Sequence, residues 1–441
     1  MKNDFFDTAT LPAKFLERMK SQLGGTYEAF LSSYEKPFRR AFRVNTSVTG
    51  DDELLHLLGG AEVVLPVPFA RHCYYYPDDL PLGKSPLHEA GLYYIQEPSA
   101  MSVGETVSAA PGEIILDLCA APGGKTASIA ADMAGRGVLF SNEIHPARAK
   151  ILSQNVERLG LKNCIVTNAT PSDLAGRFPA FFDKVLVDAP CSGEGMFRKE
   201  PDAIACWSEE NIAMCAARQR DILRSADILL APGGELIYST CTFAPVENER
   251  QIAGFLNEHP GYSLVSMEHL YPHKVDGEGH FVAKLRKDGT LCRRSFPTKP
   301  ARIKKELLTV WENFKKDVLI DPDFDSGGEM LCYGDNLYLC PAAVDLSGIK
   351  CLRPGLHLGA ASGGRFAPGH ALSHCLSAAD VSRAIDLSSD DAARYISGLT
   401  LPCSTDLAGI VLVTVGGHGL SWGKATRGTL KNHYPKGLRK G

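Results

Sequence analysis

No apolar run in this chain approaches the roughly 20 residues that a bilayer-crossing helix needs, which argues against a membrane-spanning helix. The opening residues, Met1-Lys2-Asn3-Asp4-Phe5-Phe6-Asp7, are charged too early and too often for a secretory signal, so the cytoplasm is the expected compartment. Cys-x-x-Cys is missing, and the cysteines number an odd thirteen. That excludes the common zinc spacings and a disulfide framework. Reduced thiols are expected, most of them small buried apolar groups such as Cys164, Cys206 and Cys215. Neither the Gly-x-Gly-x-x-Gly of nicotinamide enzymes nor the Gly-x-x-x-x-Gly-Lys-Ser/Thr of phosphate loops occurs. An overall basic coat is also lacking, since 47 Lys and Arg face 51 Asp and Glu. No internal repeat or low-complexity segment interrupts the chain.

What is present is 441 residues, 44% apolar and 22% charged, the composition of an ordinary globular protein and the length of two to four domains. Positive charge is concentrated in two runs. Lys284, Arg286, Lys287, Arg293, Arg294, Lys299, Arg302, Lys304 and Lys305 accompany a single acid, Asp288. Lys424, Arg427, Lys431, Lys436, Arg439 and Lys440 accompany none. Such blocks suit a phosphate backbone, although a solvated face is the ordinary fate of a charge run.

Leu11, Phe15, Met19 and Leu23 fall at helical spacing; after Gly24-Gly25, Tyr27, Phe30, Leu31 and Tyr34 resume it. Phe42 to Asn45 alternates like a strand, and Asp51 to Leu58 reads as helix. Beyond Glu113 the pattern becomes strand and helix in turn. Strands are predicted at Ile114, Gly137, Cys164, Lys184 and Gly234, and helices over Lys125–Ala134, Ala147–Leu159 and Ile212–Leu230. This alternation predicts a doubly wound parallel sheet. Pro232-Gly233-Gly234 reads as a turn into the last of these strands. Further on, a hairpin is predicted about Gly334-Asp335-Asn336, a helix near Asp390–Gly398 and a strand over Ile410–Val415.

In open α/β sheets, sites form beyond the carboxyl ends of the strands. Two cysteines lie there, Cys191 in Asp188-Ala-Pro-Cys191-Ser-Gly and Cys241 in Ser239-Thr-Cys241-Thr. A lone cysteine at a strand end is usually a buried structural thiol; two in these settings look like a nucleophile and a helper. Asp117-Leu-Cys119-Ala120-Ala121-Pro122-Gly123-Gly124-Lys125 joins the first strand to the next helix, where glycines let a ligand approach the helix N-terminus. The second strand ends at Asn142-Glu143, placing a carboxylate to accept both hydroxyls of a ribose. A ribose-binding acid with a short glycine turn fits S-adenosylmethionine better than a dinucleotide.

At these residues the chain resembles the Sun-type RNA cytosine-C5 methyltransferases. Asp117 to Lys125 is similar to that family's cofactor signature, and the two cysteine stretches resemble its fourth and sixth motifs. Phe42-Arg-Val-Asn45, Tyr94-Ile-Gln-Glu-Pro-Ser-Ala100, Arg198-Lys-Glu-Pro201, Trp207 and Gln219 resemble further family stretches. Gly364-Arg-Phe-Ala-Pro-Gly-His370, Trp422-Gly-Lys424 and Lys431-Asn-His-Tyr-Pro-Lys-Gly437 resemble the C-terminal region of its RsmF-type (YebU-like) ribosomal RNA branch. The resemblance implies an α/β protein with a Rossmann-like S-adenosylmethionine methyltransferase sheet. A small α/β N-terminal domain and C-terminal RRM-like and PUA-like modules would flank it, with divisions at 1–100, 101–287, 288–355 and 356–441.

The resemblance also implies chemistry. Cytosine C5 takes a methyl group once a thiolate has added at C6. Cys241 would be that thiol, and Cys191 would assist its release. Asp188 would hold the N3/N4 edge of the base, and Lys125 would add positive charge near that edge or near the thiol. DNA cytosine-C5 enzymes place the nucleophile in the Pro-Cys motif, which would leave Cys241 without a role. The cofactor would lie against Cys119, Ala120, Ala121, Pro122, Gly123, Gly124, Lys125, Glu143 and Asp188. Small-subunit (16S) ribosomal RNA is the implied substrate, met by a monomer that needs no metal and no membrane. The family often has an acid near the adenine in an Asn-x-Asp pattern; here Asn168-Ala-Thr170 has threonine, leaving Asn168, Thr170 or Asp173.

Some features favour plainer readings. His370 and His374 stand four apart without an evident third metal ligand, which favours structure. Tyr74-Tyr75-Tyr76 could stack on bases or pack between domains. Alternatives for the whole chain are a transfer RNA cytosine-C5 methyltransferase, a non-catalytic ribosome assembly factor of the same fold, and, further off, a nicotinamide-dependent oxidoreductase.

Overall fold

Strands without polar alternation bury both of their faces, and the five predicted at the centre of the chain do so. The computed structural model describes residues 6–292 and 303–440; Arg293, Arg294, Lys299 and Arg302 of the first basic run lie outside the described residues. The central sheet comprises β1 (Ile114–Asp117), β2 (Val138–Asn142), β3 (Cys164–Thr167), β4 (Phe182–Asp188), β5 (Leu230–Thr240), β6 (Tyr262–Leu270), β7 (His280–Lys287) and β8 (Cys351–Arg353). Their order is β6-β7-β5-β4-β1-β2-β3-β8. β1 to β5 run parallel, while β6, β7 and β8 join antiparallel.

Successive residues of one strand serve opposite faces. Ile115, Leu139 and Ile237 pack with helices α1 (Pro98–Val107), α2 (Gly124–Met133) and α3 (Pro146–Arg158). Leu116, Phe140 and Leu236 pack instead with α4 (Pro171–Arg177), α5 (Glu209–Leu229) and α6 (Glu249–Glu258). On that second face Phe140 meets Phe178 and Phe182 with ring centroids 5.4 and 5.3 Å apart. Truncating such a ring to alanine costs about 3–5 kcal/mol. The chain order reverses between β1 and β4, so the crevice of the sheet opens there.

Pro232-Gly233 forms an excursion within β5. Pairing with β4 jumps from Phe182↔Leu230 to Lys184↔Glu235. Gly233 adopts φ +78°, and a Cβ there would stand 2.8 Å from the Leu291 backbone nitrogen.

In the N-terminal sheet Arg40–Val44 lies between Cys73–Tyr76 and Tyr93–Gln96. Tyr75 and Tyr76 are buried and Tyr74 stacks on Phe42, so the three tyrosines pack within the fold. The predicted hairpin joins Glu329–Tyr333 to Asn336–Cys340, in a four-stranded sheet completed by Leu356–Ser362 and Arg365–Pro368. A last, five-stranded sheet is centred on Gly409–Val415 and His418–Thr426. Phe42, Leu54 and Tyr93 from the start of the chain share one core with Tyr395, Val411 and Leu430 from its end. Lys440 Nζ closes that contact on Glu89 Oε1 at 2.5 Å.

β8 ties the C-terminal half to the sheet edge. Arg353 and His370 both meet the carboxylate of Glu157, the latter through Nδ1 at 3.0 Å. Burial pushes His374, packed edge-on against His370, down to about 3. In the first basic run, Lys284 and Arg286 pair with Glu235, Lys287 with Asp227 and Lys304 with Asp335. No helix among the described residues is long and apolar enough to cross a membrane.

Candidate active site

Parallel register brings the chemistry together. Asp188 lies opposite Ser239 across β4 and β5, so Cys191, three residues on, and Cys241, two residues on, emerge side by side. Their sulfurs are 3.2 Å apart. Asp188 Oδ2 pairs with Lys125 Nζ at 2.7 Å, and Oδ1 accepts from Ser239 Oγ at 2.8 Å. Burial opposes the carboxylate charge, but Lys125 and His280 outweigh it and hold Asp188 well below the usual carboxylate range. Burial likewise opposes the ammonium, and Asp188 raises Lys125 above the ordinary lysine value. The adjoining Cys241 thiol, with burial, pushes Cys191 up, and Glu247 adds to the effect. Cys191 therefore holds its proton.

A cavity of about 1200 Å³ runs from this cluster past the β1–α2 turn to Glu143. Cys191, Cys241, Asp188, Lys125 and Glu143 all line it, as do Cys119, Ala120, Ala121, Pro122 and Gly124. Gly123 stands behind the turn, where it caps α2 at φ +119° and a Cβ would meet Leu152 at 3.3 Å. A Cβ on Gly124 would come within 2.9 Å of Gln96 Nε2, so the stretch from Tyr94 roofs the turn closely. Asp117, at the end of β1, accepts from Thr126 Oγ1 at 2.7 Å and leaves Oδ1 without a partner. Burial pushes its carboxyl up to about 7, and the charge of Asp188 contributes.

Glu143 is buried; its Oε1 accepts from the His145 amide at 2.8 Å and its Oε2 meets Arg148 at 3.3 Å. Arg148 also donates to the Ala121 carbonyl at 2.7 Å. Asn168 Nδ2 donates to the carbonyls of Glu143 and Ile144, at 2.8 and 2.9 Å. Thr170 and Asp173 form the capping box of α4, so their oxygens serve the helix start. Pro171 and Ser172 reach the cavity in their place.

The cavity suits S-adenosylmethionine. It joins an acid next to the second strand, a turn of alanines and glycine, and two orphaned buried oxygens nearby, Asp117 Oδ1 and Gln96 Oε1.

Three residues beyond the sequence reading shape the site. Glu247 accepts from the Ser192 amide at 3.0 Å, from Ser192 Oγ, and from Gln219 Nε2 at 2.8 Å. Ser192 Oγ meets Thr242 Oγ1 at 2.8 Å, so the two cysteine loops are laced together. Asn248 accepts from Thr240 Oγ1 and donates to the Thr242 carbonyl. His280 Nε2 lies 3.7 Å from Asp188 Oδ1. The signal for the first two was an acid–amide pair shortly after Cys241. His280 carried none, because its strand is antiparallel and falls outside the strand–helix alternation.

The remaining motif residues act as ties. Arg198 pairs with Glu278 at 2.8 Å, Trp207 donates to Glu194, and Gln219 holds the Pro190 carbonyl. Arg43 reaches the Met101 carbonyl, and Asn45 bridges the carbonyls of Gly91 and Leu159.

Comparison with known proteins covers nearly the whole chain. The model of the 16S rRNA methyltransferase RsmB/F family matches residues 105–286. Models of the RsmF N-terminal domain, first C-terminal domain and PUA domain match 11–98, 313–376 and 382–440. The ribosomal RNA small subunit methyltransferase F of Erwinia tasmaniensis is 31% identical, over 97% of this chain and 96% of that protein. The protein of that name from Vibrio vulnificus is 32% identical, over 97% of each. Among solved structures, a methyltransferase homolog protein from Pyrococcus horikoshii is 29% identical with TM-score 0.56, covering 64% of this chain and 99% of that one.

Proposed function

Because this chain belongs to the ribosomal RNA small subunit methyltransferase F family, we propose that it is an S-adenosylmethionine-dependent methyltransferase that forms 5-methylcytosine in 16S ribosomal RNA. The observation that carries the reading is the pair of thiols 3.2 Å apart beside the Lys125–Asp188 ion pair, in the wall of a cavity of about 1200 Å³ that the Cys119–Lys125 turn and Glu143 also line. Glu143 and the turn from Cys119 to Lys125 hold the cofactor. When bound, the cofactor supplies a methyl group on a sulfonium.

The target cytosine leaves its stack to reach the thiols. Cys241 adds through its thiolate to C6 and makes C5 nucleophilic. Asp188, kept as a carboxylate by Lys125, accepts from the amino group at N4. Cys191, which retains its proton until this step, gives it to the departing Cys241 sulfur and takes up the C5 proton in its place. The N-terminal domain of residues 1–100 and the modules of 288–355 and 356–441 grip the surrounding RNA. We place its action in the cytoplasm, as a monomer on its RNA.

The test is transfer of labelled methyl groups to 16S RNA from cells lacking the protein, read by bisulfite sequencing. Cys241→Ala is expected to abolish transfer. Cys191→Ala is expected to accumulate a covalent protein–RNA adduct. An adduct in Cys241→Ala but none in Cys191→Ala would reverse the two roles. Methylation of transfer RNA alone would move the substrate to the other branch.

A further inference from the structure

We propose that His280 is the catalytic acid that protonates ring nitrogen N3 of the target cytosine, an inference that rests on the C5-methylation reading above. His280 opens β7, and the pairing of Phe281 with Thr240 sets it beside Cys241. Its side chain lines the cavity, is 5% exposed, and leaves Nε2 without a hydrogen bond, 3.7 Å from Asp188 Oδ1. A buried polar atom left unpaired costs about 1–3 kcal/mol, so Nε2 is open to the hydrogen bond of a ligand in this cavity.

The ring has little freedom to find another partner. The Gly279 amide donates to Ser99 Oγ at 3.1 Å and the Glu278 amide to Glu97 Oε1 at 2.7 Å, both at the start of α1. Gly279 has φ +111°, and a Cβ there would sit 2.5 Å from the Phe243 ring. His280 thus stands on a rigid support, as a group acting at one atom requires.

The chemistry has a vacancy that His280 fills. As Cys241 adds, the S–C6 bond forms, the C5=C6 pair shifts to C4=C5, and the C4=N3 pair moves onto N3, which must take a proton. Asp188 cannot give one, since Lys125 keeps it ionised, and Lys125 is itself held by Asp188. Cys191 is needed at C5. The charged and titratable groups that line this end of the cavity with His280 are Asp188 on β4, Lys125 on α2, and Cys191 and Cys241 at the strand ends; Glu278, two residues before it, is bound to Arg198. Imidazole is the side chain suited to this transfer near neutral pH. As Cys241 departs with its electron pair it takes the Cys191 proton, the C5 proton passes to Cys191 in exchange, and N3 returns its proton to His280; the proton displaced by the methyl group leaves on Cys241, and the count closes.

The experiment is single-turnover methylation across pH with His280→Gln and His280→Phe, the second keeping an aromatic ring in the buried place. Wild-type enzyme needs protonated His280 and ionised Cys241, so its rate must fall at high pH once the imidazole has lost its proton. Both variants are expected to be slower by on the order of 100-fold and to lose that descending limb, with binding of S-adenosylmethionine unchanged. Wild-type rate in either variant, or a slower rate with the descending limb intact, would overturn the proposal. So would loss of cofactor binding in both, which would make His280 a packing residue. If wild-type enzyme itself transfers no methyl to cytosine, the reading beneath the proposal fails instead.

Discussion

Removing Lys125 tests the electrostatic core of the site. Lys125→Met leaves the Asp188 carboxylate in a cavity wall with only Ser239 Oγ within hydrogen-bond reach, His280 being 3.7 Å away. Breaking a buried ion pair by deleting one partner costs about 3–5 kcal/mol. Asp188 keeps 26% of its side-chain surface, so solvent relieves part of the penalty and about 3 kcal/mol is the working figure. For a catalytic region of this size that lowers the melting temperature by roughly 6–12 °C.

The pH dependence gives the sign. In the wild type, Asp188 is held below its unfolded value, so its contribution is present above about pH 4 and is lost as pH falls through the folded value. In Lys125→Met, burial without the cation raises the carboxyl instead, so the deficit is largest at pH 7 and shrinks as pH falls. Lys125→Met with Asp188→Asn is expected to recover all but about 1 kcal/mol, since removing both partners leaves no stranded charge. Thermal melting of the wild type and the two variants between pH 7.5 and 4.5 reads all of this. Equal melting of wild type and Lys125→Met at pH 7, or a deficit that stays constant to pH 4.5, would refute the reasoning.

Three further outcomes follow from the geometry. Asp117, with its carboxyl raised to about 7 and Oδ1 orphaned, opposes folding when ionised; Asp117→Asn is expected to melt higher than wild type at pH 8 and level with it at pH 5. Gly195→Ala would put a Cβ 2.7 Å from the Gly279 carbonyl and 3.0 Å from that of Cys241. It is expected to lower kcat by about 100-fold through displacement of the thiol, with cofactor affinity kept in a binding titration. Glu157→Ala strands Arg353, which is buried; it is expected to cost about 3–5 kcal/mol. Because the Lys350 carbonyl accepts from the Asn168 amide at 2.8 Å, hydrogen exchange over 350–353 should rise and cofactor affinity fall together.

The parallel half of the sheet was legible because each buried strand announces itself as a run such as Val185-Leu-Val, and each helix by its spacing. The two cysteines were legible because strand ends are where such sheets put chemistry. β8 was not, for three residues with no pattern of their own form a strand only against an edge the sequence does not reveal. Glu247 escaped for a related reason, since its partners Ser192 and Gln219 are 55 and 28 residues away. Thr170 and Asp173 illustrate the reverse case. The family resemblance offered them to the adenine, and the local demand of a helix start engages them.

The core shared by Phe42, Leu54 and Tyr93 with Tyr395, Val411 and Leu430 bears on how the molecule is made. A ribosome delivers the first of these residues more than three hundred positions before the last, at about 5–20 residues per second. For that interval of tens of seconds the N-terminal sheet waits with an uncovered apolar face, while the central sheet already has its helices on both sides. The N-terminal core is therefore closed only by residues synthesised long after its own.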